Sequence, residues 1–229
     1  MDAGVDVLVD ESPRDWLRPA PKATIETQAA VPATEKAPPD PAPECLPDEL
    51  RLFEAYLKTS EALPFAAPSA PRVGPAGDAG SELMILVDMP GTEDCASGTL
   101  LSGEAGALFD RMMAAIGRDR SSLYIASLSS IRSPDGRFTR PAAARCAELA
   151  RHHIGLAQPK AVLLFGDACS RALLSLSMAE ARGRWHRIAT ETGTVNAIVT
   201  IAPDFLLKQP SAKAHAWVDL QMLAEGLNR

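Results

Sequence analysis

A strand that ends in acids is the first stretch of this chain with chemistry in it. In LMILVDMPGTEDCASG, residues 83–98, a continuous apolar run stops at Asp88, turns at Pro90 and Gly91, and continues into Glu93 and Asp94. A carboxylate fixed at a strand end can take a proton, orient water or stabilise a developing cation. A short acid there can equally be a loop cap, and Glu93 and Asp94 are read as solvated or capping. Arg132, Arg137 and Arg140 flank a loop containing Pro134 and Gly136. Such arginines suit phosphate contacts, or they keep a surface soluble. The four histidines, at 152, 153, 186 and 215, show no metal-ligand spacing with Cys or Asp. His152 and His153, within a long helix, are expected to be partly exposed. The cysteines at 45, 95, 146 and 169 form no CxxC pair, so reduced thiols are expected.

The elements that must position these residues alternate. Strands are expected at 82–88, 122–128 and 160–166, with two more in RWHRIA and VNAIVTI. Helices are expected at 46–60, 103–117, 141–157, 167–176 and 211–227. The helix at 141 opens with Pro141, suited to a first turn, and Asp167 is the expected cap of the helix at 167. Apolar strands alternating with amphipathic helices predict an α/β fold, a three-layer α/β/α sandwich around a mostly parallel four-stranded sheet. Ligands in such folds sit beyond the carboxyl ends of the strands. That gathers the loops after residues 88, 127, 166 and 201 around one cleft.

Composition sets the domain limits. Of 19 prolines, 13 fall in residues 1–80. Residues 1–44 are read as a disordered, acidic, Pro/Ala-rich leader that cannot bury enough apolar surface to offset its ordering entropy. Residues 45–80 are read as a helix and linker, and 81–229 as the main domain. Residues 5–17, with Trp16, are a candidate segment for docking on a protein partner. The net charge of −6 is concentrated in residues 1–80, which hold 7 basic and 14 acidic residues. Residues 81–229 are nearly balanced, and residues 111–151 carry eight Arg against three acids. That stretch is a solvated helix face or a phosphate-facing surface. The acidic start is unlike a signal peptide and no apolar run approaches a membrane span. A cytoplasmic monomer without membrane contact is expected.

Taken in order, the four loops resemble those of the uracil-DNA glycosylase superfamily, nearest its iron–sulfur-containing bacterial and archaeal branch. VDMPGTEDCASGTLLSGEAGALF is similar to the first motif at Pro90, Gly91, Glu93, Asp94, Gly98 and Gly103. YIASLSSIRSPDGRFTRP is similar to the second at Tyr124, Ile125, Arg132, Pro134, Arg137 and Pro141. PKAVLLFGDACSRALL, then Arg182 and Gly183, then APDFLLKQP follow the later motifs. The likeness spans residues 44–227.

The resemblance implies a base pocket formed by Met89, Pro90, Gly91, Leu101, Ser127 and Ala202, with Asp88 at the family's carboxylate position. It also implies DNA contacts at Arg132, Arg137, Arg140 and Lys208. The departures fall on the chemistry. Ser127 stands where the family reads uracil with Asn, Ala202 where it has a catalytic His, and Leu101 where an aromatic stacks on the base. A flipped base needs stacking and edge readout, and an anionic leaving base needs a donor. Of the cluster cysteines only Cys45 and Cys146 align, and Ile131 fills one of the other positions. No iron–sulfur cluster and no other metal is therefore expected.

Three readings follow. The first is a domain that has lost standard uracil excision and serves as a DNA- or protein-binding factor in repair or replication. The second is a DNA glycosylase for a different damaged base with Asp88 as its carboxylate. The third is a small-molecule enzyme on the same fold.

Overall fold

The computed structural model describes residues 45–228; the leader and its docking segment lie outside the described residues. Residues Cys45–Arg229 form one compact unit. The elements run α1 (Leu50–Thr59), β1 (Ala76–Gly77), β2 (Leu83–Val87), α2 (Thr92–Ser97), α3 (Gly103–Ala114), β3 (Tyr124–Ser127), α4 (Arg140–Ala157) and β4 (Ala161–Phe165). They continue with α5 (Gly166–Leu174), α6 (Met178–Ala181), β5 (His186–Thr190), β6 (Gly193–Thr200), α7 (Pro203–Lys208) and α8 (Lys213–Leu227).

The sheet order is β1-β3-β2-β4-β6-β5. β3, β2, β4 and β6 are parallel, and β1 and β5 are antiparallel edges. The expected four-stranded sheet is thus corrected to a six-stranded mixed one. The parallel part holds the four strands whose loops meet. β1 was hidden in a two-residue pairing, and β5 joins β6 by a tight antiparallel connection that places it at the edge.

All five residues of β2 and all five of β4 are buried. Such strands need cover on both faces. On one face Leu83, Ile85 and Val87 pack with Leu108 and Phe109 of α3 and Leu220 of α8. On the other, Met84 and Leu86 pack with Cys146 and Ile154 of α4 and Cys169 of α5. Helices on both sides give three layers. The chain leaves β2 for β3 on one side and later takes β4 on the other. The carboxyl end of β2 is therefore the switch point of the sheet, where ligands of such folds bind.

Helix α1 lies on α4 and changes the expected exposure of the two histidines. Phe53 is fully buried, and its ring stands edge-on to His152 and His153 at 5.0 and 5.2 Å. Both histidines are buried, not half-exposed, because α1 covers that face of α4. Burial pushes His153 down to about 3, which keeps it neutral. Tyr124 donates its one hydroxyl proton to Glu54 Oε1 at 2.7 Å. Its oxygen must therefore accept the Nε2–H of His153 at 2.7 Å, which fixes the histidine tautomer.

Candidate active site

The four parallel strands release their loops into one cleft of about 1060 Å³. Asp88 follows β2 directly, so the switch point puts it on the floor. Its Oδ1 accepts the Cys169 backbone N–H of α5 at 3.1 Å. Asp88 thus caps the N-terminal turn of α5, whose free amides favour negative charge. Gly166, at φ +90°, makes room for it, since a Cβ there would come within 2.9 Å of Asp88 Oδ2. Burial outweighs the Cys169 thiol and amide, both of which favour the charged form. Desolvation pushes the carboxyl up to about 6, and the charges of Asp204 and Asp167 add to the rise.

The turn after Asp88 is shaped by Asp94. Its Oδ2 accepts Gly91 N–H at 2.9 Å, and its Oδ1 accepts Ser102 N–H and Oγ–H, each at 2.7 Å. Asp94 is buried and fully used in tying the start of α2 to the start of α3. Leu101, just before that junction, lines the cleft at φ +54°. Its carbonyl accepts from Arg120, whose guanidinium also sits over the Phe109 ring at 5.4 Å. A backbone state that costs a branched residue of order 1–3 kcal/mol is held by that clamp.

The residues singled out in the sequence divide by position. Asp88, Met89, Gly91, Leu101 and Ala202 line the cleft, as do Arg132 and Arg137. Pro90, Ser127, Arg140 and Lys208 do not line it. Side chains alternate along β3, and Leu128, on the face shared by Tyr124 and Ala126, takes the place at the cleft wall. Arg132 is exposed and donates to the Pro90 carbonyl at 3.1 Å, which locks the β3 loop to the β2 loop. Arg140 opens α4 and is exposed. Lys208 sits 3.6 Å from Asp204, one turn away on α7, and both are well exposed; such a pair holds a lysine only weakly.

Two contributors escaped the sequence reading. Phe138 lines the cleft half-buried, its ring 5.9 Å from Phe65. Cys169 supplies the amide that holds Asp88. Neither has a local signal, because Phe138 joins the cleft and Cys169 meets Asp88 only in the folded chain.

The residues present do not fit an iron–sulfur cluster. Ile131, at one ligand position, is fully buried among Phe53, Leu57, Leu63 and Leu149. Cys45 is exposed. Burial pushes the Cys146 thiol up to about 12, whereas a cluster binds thiolates. Among the described residues, no group of three or more His, Cys, Asp or Glu is placed to hold a metal ion. An apolar plug occupies the region and fastens α1 to the domain. Ile131→Ala is expected to cost about 2–5 kcal/mol, read as a lower urea midpoint with unchanged slope.

Together these features define an α/β domain whose cleft opens at the carboxyl ends of parallel strands with the Asp88 carboxylate on its floor. The pattern of the uracil DNA glycosylase superfamily matches residues 75–221, and the chain belongs to that superfamily. It is 21% identical over 185 residues to a type-4 uracil-DNA glycosylase of Pyrobaculum aerophilum, covering 78% of this chain and 94% of that protein. It is 20% identical over 156 residues to a type-4 uracil-DNA glycosylase of Archaeoglobus fulgidus, covering 65% of this chain and 78% of that one. Among the described residues no helix is long and apolar enough to cross a membrane.

Proposed function

We propose that this chain is a DNA glycosylase that hydrolyses the N-glycosidic bond of an altered base other than uracil. The observation that carries the reading is Asp88, the carboxylate on the floor of an open cleft. DNA as the substrate comes from the relatives, which are named as uracil-DNA glycosylases. In the reaction Asp88, ionised above about pH 6, faces the sugar. It stabilises the positive charge that grows at C1′ as the base departs, then receives a proton from the attacking water. Oδ1 stays on the Cys169 amide, so the carboxylate keeps its orientation between steps. Leu101 and Phe138 supply apolar faces for a flipped base. Uracil is disfavoured because Ala202 offers no side-chain donor to the oxygen of a departing anion.

A binding domain without chemistry is the second reading. It is favoured by the same bond to Cys169, since a carboxylate that caps α5 is already employed. An abasic-site assay separates the two. DNA oligonucleotides each carrying one altered base are incubated with the protein and then treated with alkali. The first reading expects breaks at one altered base and none in unmodified DNA. Tight binding with no break at any base supports the second.

Arg137 is exposed at the mouth, across the cleft from the β6 loop. A phosphate contact there makes binding fall as salt rises. Arg137→Ala is expected to lower the slope of log affinity against log salt by about 1, measured by fluorescence anisotropy. An unchanged slope removes Arg137 from the interface.

A further inference from the structure

We propose that the base taken by this cleft is positively charged, an N-alkylated purine such as 7-methylguanine. The inference rests on the glycosylase reading and names its substrate class. It comes from the polarity of the cleft, which changes from mouth to floor. Arg132, Arg137, Arg171, Thr92, Glu93, Asp167 and Asp204 are all exposed and sit at the mouth. Arg171 is engaged there by Asp167 and Arg132 by the Pro90 carbonyl. Deeper in, the lining is apolar apart from Asp88, Asp94 and Ser102. Asp94 is consumed by Gly91 and Ser102, and the Ser102 hydroxyl donates to Asp94. Among the described residues that form the floor, no side-chain donor is left for a ligand and one carboxylate is.

That floor suits one charge state of the leaving base. A neutral pyrimidine such as uracil departs as an anion. It would meet a carboxylate and no side-chain donor, in a site where low polarity magnifies the repulsion. A purine alkylated at N7 is a cation while attached to the sugar. When the C1′–N9 bond breaks, its electron pair passes to N9 and the base leaves neutral, so no donor is needed. Water then adds its oxygen to C1′, and its proton goes to Asp88 and on to solvent. The charge on the bound purine is attracted by Asp88 and by the face of the Phe138 ring. Leu101 and Ala202, which weaken the site for uracil, cost nothing for such a base. In strand order the arginine-bearing β3 loop lies on one side of Asp88 and the β4 and β6 loops on the other. Phosphate is thereby met on the arginine side and the cationic ring over the floor.

The test uses three duplexes, identical except for a single 7-methylguanine, hypoxanthine or uracil, with free base quantified by mass spectrometry against a protein-free control. The wild-type chain is expected to release 7-methylguanine at least about 100-fold faster than uracil, in keeping with the effect of one missing donor. Asp88→Asn removes that release, and Phe138→Ala reduces it about tenfold. Release of hypoxanthine or uracil as fast as 7-methylguanine, and lost in Asp88→Asn, overturns the cationic-base inference and leaves the glycosylase reading standing. Release of none of the three above control, together with no abasic site in the wider panel, overturns both.

Discussion

Asp88→Asn is expected to reduce base release by about 10²–10⁴-fold while DNA affinity stays within a few-fold of the wild type. The substitution is chosen because its amide oxygen still accepts the Cys169 N–H, so the cap of α5 survives and only the charge is lost. Asp88→Ala lacks that acceptor and loses the cap as well. The two variants therefore part in stability. Folding raises the Asp88 pKa from 3.8 to about 6, so the folded state binds its proton more tightly than the unfolded state. Its contribution to stability is complete below about pH 4 and is lost as pH rises through about 6. A shift of this size corresponds to about 3 kcal/mol. Asp88→Asn removes that burden and is expected to be more stable than the wild type at pH 8, with the advantage vanishing near pH 4. Urea denaturation at the two pH values measures it. A carboxylate that works in the cleft makes Asp88→Asn more stable and less active, whereas one that only caps α5 makes it more stable without loss of any activity.

Ala202→His is expected to raise uracil release by about 10²–10³-fold over the wild type. Ala202 lines the same cleft as Asp88, at the N-terminal end of α7, where the parallel strand β6 delivers it. An imidazole there supplies the donor that a departing anion needs, an effect of about 3–4 kcal/mol on the barrier. For a cationic base the same imidazole offers nothing to a neutral leaving group, so the preference for 7-methylguanine over uracil narrows. The measurement is single-turnover release from uracil-containing DNA. If the variant stays at the wild-type level, the missing donor is not what separates this cleft from uracil, and Leu101 and Leu128 become the walls to alter.

Much of the frame was legible because it is written in apolar runs. β2 and β4 are continuous apolar stretches of strand length between helices with helical spacing, which leaves little choice but a parallel sheet. The edges were not legible. β1 is two residues held by pairing to β3, and no pattern of two residues announces a strand. α2 lies inside a motif loop whose sequence, TEDCAS, has no apolar period. It is held instead by the Asp94 bonds. α7 begins at Pro203 and is too short to show a stripe.

The cleft lining was legible where position follows from strand direction. Asp88 comes straight off β2, and Leu101 and Ala202 come off loops whose neighbours were recognisable. Ser127 was misleading for the opposite reason: alternation along a strand decides which of two adjacent residues faces a ligand, and the cleft wall received Leu128. Phe138 joins the cleft and Cys169 meets Asp88 across the fold, and no spacing in the chain announces either. The apolar plug at Ile131 shows the same logic in reverse. A single residue type at one aligned position indicated what could not bind there, but the packing against Phe53, Leu57, Leu63 and Leu149 needed the tertiary structure.

The most direct measurement is the pH dependence of single-turnover base release between pH 4.5 and 8, using the base found most active. With Asp88 as the working carboxylate, the rate climbs tenfold per pH unit at the acid end and levels off above about pH 6, the value to which burial pushes this group. A rate that is flat or falling with pH across that window, or an equal rate in Asp88→Asn, contradicts a catalytic role for Asp88.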